Sequence, residues 1–360
     1  MLDFDFSPAE VALRERVREF ARSELAPHVR RWARGQEFPW DAVRALGRAG
    51  FLGITFDESV GGANGSWVDL AIVLEEIGRV DLSCALIASL ANFYPRVIDD
   101  QSVVSRIVAG DAALAFAETE ARSGGDVAAI RTSAVRTESG WLLNGSKTYI
   151  SMVPGADLLL VTAVTDPDAG GRGLSMFLVD ADQKGVTARS IPEPGLRAHM
   201  LGSITLKDVE IPHNRIVASH LAQASGILDL KQCADSVAIL GATQQTVEET
   251  VQRAKAKKTF GRSLLKWQGI QSEIVGHLAR LEALKLMMFE RMWCEDTGKE
   301  PVVGNAPLST LVAHEADIIH RSCLDLFGGA AWRSDNRIHA RSEDILVWTL
   351  NNRIQISSGD

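Results

Sequence analysis

The sequence predicts an α+β protein with an N-terminal all-helical domain, a middle antiparallel β-barrel or sandwich domain and a C-terminal four-helix bundle. Three observations predict it. Apolar residues recur at helical spacing through the first third, short strand-like segments divided by turns fill the middle, and helical spacing returns in four long stretches. The boundaries are expected at residues 1–112, 113–217 and 218–360. No repeat or low-complexity linker divides the chain, so the three parts are expected to pack as one body.

The first helix is announced by Ser7-Pro8-Ala9-Glu10, a capping-box pattern with proline at the first helical position. Leu13, Val17, Phe20 and Ala21 then share one face. Further helices are expected from Asp41 to Ala49 and from Trp67 to Val80, separated by the turn-rich stretch from Glu58 to Gly65. Strands follow at Ala113 to Thr119, Ser133 to Thr137, Trp141 to Asn144, Leu158 to Thr165, Ser175 to Asp180, Val186 to Ile191 and Ile204 to Ile211. Turns such as Glu138-Ser-Gly and Asn144-Gly-Ser-Lys join them. The bundle helices are expected at Ile227 to Lys257, Gln268 to Asp296, Ala306 to Leu326 and His339 to Gln355.

Composition narrows the function. With 360 residues, 46% hydrophobic and 23% charged, the chain can bury two or more cores. A net charge of -8 with interspersed signs argues against an electrostatic grip on nucleic acid or an anionic membrane. A small or neutral partner is expected instead. The start, Met1-Leu-Asp-Phe-Asp-Phe-Ser-Pro, has no basic region before an apolar run, and no stretch reaches the roughly 20 apolar residues of a membrane span. The expected location is the cytoplasm. Cys84, Cys233, Cys294 and Cys323 are scattered, as suits buried thiols rather than a disulfide framework or zinc site. His314 and His320 do not align as a metal pair, and no metal is expected.

Longer motifs go further. Thr119-Glu120-Ala-Arg-Ser-Gly124-Gly125-Asp126 and Trp141-Leu-Leu-Asn144-Gly145-Ser-Lys147-Thr-Tyr149-Ile-Ser151 stand in the β segment. Gly195-Leu-Arg197 and Leu206-Lys-Asp208-Val209-Glu-Ile-Pro212 follow, then Lys257-Lys-Thr259-Phe260-Gly261-Arg with Gln268, and Leu326-Phe327-Gly328-Gly329. In this order they resemble the FAD-dependent acyl-CoA dehydrogenase family over nearly the whole chain. The resemblance implies an acyl-CoA or acyl-carrier-protein thioester as substrate, FAD as cofactor, an oligomer, and an electron-transfer protein as a further partner.

Site residues follow from the same resemblance. The strand from Phe116 through Glu118 to Thr119 would line the flavin, with Gly124 and Gly125 beyond it; Gly125 stands where the family usually has serine. Tyr149 would shield one side of the ring, and Ser151 would donate toward its N5 region. Lys257 would meet the pyrophosphate where arginine is usual, with Phe260 and Gln268 toward the adenine. Gly328 and Gly329 would let backbone approach phosphate. Asp325 replaces a glutamine and sets an anion near that group, unless it turns away or pairs with Arg321. Gly125, Arg197, His199 and Leu350 are the expected substrate contacts.

The family reaction needs a carboxylate to take the α proton of the thioester while the β hydride leaves to the flavin. The position matching the usual glutamate is Leu350, within Leu350-Asn351-Asn352, and the position matching the alternative glutamate is Lys231. Three readings stay open. A homologous partner subunit supplies the base; a relocated carboxylate does, with Glu118 and Asp229 as candidates; or the fold performs other chemistry, such as flavin-dependent oxygenation, desulfination or thioester binding without turnover.

Overall fold

A computed structural model of the chain describes residues 5–34, 37–218, 225–333 and 336–352, apart from the side chains of Ser225, Asn351 and Asn352. The N-terminal helices are α1 (Pro8–Phe20), α2 (Val29–Trp32), α3 (Trp40–Arg48), α4 (Trp67–Val80), α5 (Leu82–Phe93) and α6 (Gln101–Val108). Ser7 caps α1 as its pattern predicts: its hydroxyl accepts from Glu10 N at 3.2 Å while the Glu10 carboxylate accepts from Ser7 N at 2.6 Å. The sequence reading passed over α5 and α6. Every residue of α5 is buried, so it shows no polar face and no amphipathic period, and only the cap from Asp81 to Cys84 N marks its start.

The middle segment holds β1 (Leu114–Ala117), β2 (Ser133–Arg136), β3 (Gly140–Ser151), β4 (Leu158–Val164), β5 (Leu174–Asp180), β6 (Val186–Ser190), β7 (Leu201–Pro212) and β8 (Ile216–Ala218). They form one sheet in the order β6-β7-β3-β2-β4-β5-β8, with β1 also paired to β4. The expected antiparallel domain is therefore a mixed sheet. β1 runs parallel to β4, with Leu114 opposite Leu158, and β2 touches β4 in the same sense at Ser133 and Val164. The β2–β3 hairpin lies between β1 and β4 in sequence and gives the chain the length a parallel crossover needs.

The C-terminal helices are α7 (Ser225–Ala256), α8 (Gln268–Thr297), α9 (Asn305–Phe327) and α10 (Arg337–Asn352), each near its expected span; the expected end of the last, at Gln355, lies outside the described residues. A hairpin of β9 (Lys258–Thr259) and β10 (Arg262–Ser263) joins α7 to α8. One continuous apolar core runs from Val17 in α1 to Trp348 in α10. Two buried carboxylates bind the helical parts together. Glu75 takes Arg14 of α1 at 2.9 Å and Lys285 of α8 at 2.7 Å, and Glu76 takes Arg18 at 2.9 Å. The four cysteines are buried free thiols.

Helices α4 and α7 cross at glycine. A Cβ on Gly78 would sit 2.3 Å from Ala238 O, and one on Gly241 would sit 2.1 Å from Glu75 O. No side chain fits between these backbones. Gly241→Val is expected to lower unfolding stability by about 3 kcal/mol, the range of overpacked cores. Gly276→Ala, at an α8 position with open space, is expected to raise it by up to about 1 kcal/mol. Denaturant unfolding of both variants checks this contrast.

Candidate active site

The site begins with a buried lysine. Lys147 on β3 is 1% exposed, and its Nζ donates to Glu118 O at 2.8 Å and to Glu120 Oε1 at 2.9 Å. Glu120 also accepts from Thr132 Oγ1 at 2.6 Å and from the backbone N of Thr132 and Arg131 at 2.9 Å. Burial pushes the Glu120 carboxyl up, but the bonds from Thr132 and Lys147 outweigh it and hold it below the usual range. Burial likewise lowers the Lys147 ammonium against the pull of Glu120. This pair fixes the chain leaving β1 against β3.

The consequence is the placement of Tyr149. Register between β3 and β7 breaks from Lys147 to Ile150, and Thr148 N donates instead to Thr119 O at 2.9 Å. Tyr149 then takes φ 57° and is 62% exposed, one residue short of Ile150 and two from Ser151. Phe116, Glu118, Thr119, Tyr149 and Ser151 thus gather at one end of the sheet. Gly124 and Gly125 lie in the loop beyond, with open space where a Cβ would stand.

Behind this end lies a buried polar group. Tyr94, just after α5, stacks on Phe116 with centroids 4.7 Å apart and planes at 29°. Lys231 Nζ of α7 lies 5.4 Å from the Tyr94 ring centroid and 2.6 Å from Asp235 Oδ2, while Ser89 of α5 donates to Asp235 Oδ1 at 2.6 Å. Burial works against the Lys231 charge, but Asp235 and Tyr94 raise its pKa above the usual value. Burial pushes Tyr94 up to about 12. His199, 8% exposed, has its carbonyl bonded by Met152 N and its Nε2 without a partner. Burial, helped by the Lys231 charge, takes its pKa down to about 3 and keeps the ring neutral. Glu118 Oε2 is also buried without a partner, and burial raises that carboxyl despite Lys147.

Other expected residues stand apart from this group. Asp229 is exposed on α7, about 200° around the helix from Lys231, so this candidate base faces away. Arg197 turns to α10, where it reaches Glu343 at 3.3 Å and lines a cavity of about 460 Å³ with Arg34, Arg337 and Asp344. Leu350 is 64% exposed, next to the buried Thr349. Asp344 Oδ1 accepts from Leu196 N at 2.6 Å and so anchors the turn that carries His199; burial, with Asp81 nearby, pushes its carboxyl up to about 7.

The residues expected on the nucleotide side lie on the bundle. Lys257 Nζ stands 3.9 Å from where a Cβ on Gly328 would be, and Gly328 has φ 62°. Phe260, at φ 50°, is 90% exposed on the β9–β10 hairpin, and Gln268 opens α8. Asp325 lines a cavity of about 440 Å³ with Gly328, Gly329 and His320. Arg321 does not neutralise it, because its Nε is held by both Asp317 oxygens at 3.0 Å. The open glycines beside Lys257 and the exposed Tyr149 and Phe260 fit a dinucleotide with a flat ring system, whereas Asp325 is an anion set against its phosphates. Among the described residues no three His, Cys, Asp or Glu side chains gather as a metal site, and no helix is long and apolar enough to cross a membrane.

Family models agree with this layout. The acyl-CoA dehydrogenase N-terminal, middle and C-terminal domain models match residues 7–98, 115–209 and 221–351. The chain belongs to the acyl-CoA dehydrogenase family. Its relatives include the mitochondrial short/branched chain specific acyl-CoA dehydrogenase of Bos taurus, 26% identical with 96% of this chain and 82% of that protein covered. Another is the caffeyl-CoA reductase-Etf complex subunit CarC of Acetobacterium woodii, 28% identical with 96% and 94% covered. Butyryl-CoA dehydrogenase from Megasphaera elsdenii shares the fold, with TM-score 0.91, 21% identity and 98% and 97% of the chains covered. The family is one of oxidoreductases that use FAD.

Sequence reasoning missed Glu120 and Lys147 as the fixing pair, although both stand inside the quoted family motifs. It also missed Asp235, whose i,i+4 spacing from Lys231 was a readable signal. Lys147→Met is expected to destabilise the fold by about 3–5 kcal/mol by stranding Glu120, and Glu120→Gln in the same chain to recover part of the loss. Thermal unfolding of the three proteins checks it. Asp344 has a folded pKa raised above its unfolded value, so its contribution is full below about pH 4 and is lost as pH rises through about 7. Asp344→Asn is expected to flatten stability across that window and to gain on wild type above it, as a pH series of unfolding curves would record.

Proposed function

We propose that this chain is one subunit of a heteromeric FAD-dependent dehydrogenase of acyl thioesters, and that a homologous partner subunit contributes the carboxylate base. One observation carries the reading: neither position that holds the family's glutamate bears an acid. Leu350 is an exposed aliphatic side chain, and Lys231 is a buried ammonium tied to Asp235. A protonated amine has no lone pair with which to take the α proton, and water is far too weak a base for it.

The remaining parts suit the rest of the reaction. FAD, when bound, supplies the acceptor for the β hydride. Tyr149 would cover one side of the ring and Ser151 would offer it a hydroxyl, while the stacked Tyr94 and Phe116 rings would give the site an apolar wall. Lys257 with Gly328 and Gly329 receives the phosphates. Val275, Leu278, Leu286 and Trp293 on α8 and Leu311 and Ile318 on α9 leave apolar area on the bundle exposed, which suits cover by a second bundle. The Etf complex named for one relative supports an electron-transfer protein as acceptor. Four free thiols suit the cytoplasm.

A second reading has the chain work alone with Glu118 as base, and is favoured by its buried, unpartnered Oε2. The two separate in one experiment. The chain purified alone is expected to reduce an artificial electron acceptor with acyl-CoA substrates at least about 100-fold more slowly than when co-purified with a glutamate-bearing homologue from the same genome. Full turnover by the isolated chain, lost in Glu118→Gln, overturns the shared site and establishes the relocated base.

A further inference from the structure

We infer that the arginine-lined cavity between α2, the α4–α5 turn and the start of α10 is a further ligand site, and that it binds a phosphate monoester with a small apolar body. Its volume of about 460 Å³ lies in the range of small-molecule pockets. None of the residues expected to meet FAD lines it. Five guanidiniums do: Arg30 on α2, Arg34 just after it, Arg197 in the turn before β7, and Arg337 and Arg341 on α10.

Two of these have carboxylate partners. Arg197 reaches Glu343 at 3.3 Å, and the buried Arg341 reaches Glu249 of α7 at 3.1 Å. Among the described residues Arg30, Arg34 and Arg337 pair with no carboxylate, and Arg337 donates only to Val80 O, at 2.7 Å. Against these three stand Asp81 and Asp344, which accept from Cys84 N at 2.8 Å and from Leu196 N at 2.6 Å. Burial raises both carboxyls, and Asp344, at about 7, gives up about half its charge at neutral pH. An excess of roughly one to two positive charges remains around the cavity. Its strain shows at Arg337, whose pKa is lowered by burial and by the charges of Arg341 and Arg30, against the pull of Glu249 and Asp81.

A bound anion relieves this crowding, and its class follows from the excess. A carboxylate brings a single charge. A phosphate monoester brings about −1.5 to −2 at pH 7 and three acceptor oxygens, which suit the donor forks of arginine. Val29, Ala33, Val80, Leu82 and Ala340 line the same cavity, so the remainder of the ligand meets aliphatic residues.

Calorimetric titration of the full chain, with its co-purified partner where one is present, tests this in phosphate-free buffer at neutral pH. The probes are phenyl phosphate, benzoate, coenzyme A and dephospho-coenzyme A. Phenyl phosphate is expected to bind at least about tenfold more tightly than benzoate, because it adds a charge and an accepting oxygen. Arg30→Gln and Arg34→Gln, both at exposed positions, are each expected to weaken it about five- to tenfold, and Arg337→Gln by more. Arg22→Gln, exposed on the same N-terminal segment but outside the cavity, is expected to leave it unchanged. The exposed pair decides the matter even where Arg337→Gln does not fold. Coenzyme A and its dephospho form differ in the 3′-phosphate and so identify the source. An arginine-dependent preference for coenzyme A assigns the cavity to the nucleotide end of a thioester, and its absence beside tight phenyl phosphate binding assigns it to a free phosphate ester. Three results overturn the inference: no saturable binding of either phosphate by about 10 mM, benzoate binding as tightly as phenyl phosphate, or binding that survives Arg30→Gln combined with Arg34→Gln.

Discussion

The glycine crossing of α4 and α7 is the constraint from which the rest of the site follows. Backbone meets backbone at Gly78 and Gly241, so α7 is drawn tightly onto the N-terminal helices rather than resting on their side chains. That approach lets Ser89 of α5 reach Asp235 of α7, and Asp235 in turn holds Lys231 over Tyr94. A bundle standing one side chain farther away would leave this polar group open to water. Its charges would then be screened.

Buried ionic groups recur here for different ends. Glu75 and Glu76 join α1, α4 and α8, while Glu120 and Lys147 hold the loop after β1 against β3. Such pairs add little net stability against apolar replacements, but each becomes costly when one member is removed. They define where elements sit more than how firmly. The sheet end proposed to meet the flavin depends on this, since Thr119, Tyr149 and Ser151 lie beside a broken register next to the bonded Lys147.

Much of the architecture was legible in sequence because helix caps and periodicities are local. The capping box at Ser7 and the long bundle helices needed no tertiary information. Helix α5 was not legible: wholly buried, it carries no contrast between faces. The parallel pairing of β1 with β4 was hidden for a related reason, since a strand's partner is chosen by topology and not by its own residues. Within the site, the motif residues came together at the sheet end and on the bundle, whereas Asp229 and Arg197 faced elsewhere. Orientation around a helix and the choice of a distant ion-pair partner are settled by packing, as Arg321 bonding Asp317 rather than Asp325 illustrates.

Leu350 gives the fold an unusual freedom. Exposed and outside the core, it contributes little to folding, and substitutions at such surface positions are nearly neutral for stability. Under the proposed function, gain or loss of an acid there would be nearly invisible to selection for a folded protein and visible to selection for chemistry. On that reading a duplicated copy could lose its base at such a position while its fold stayed intact.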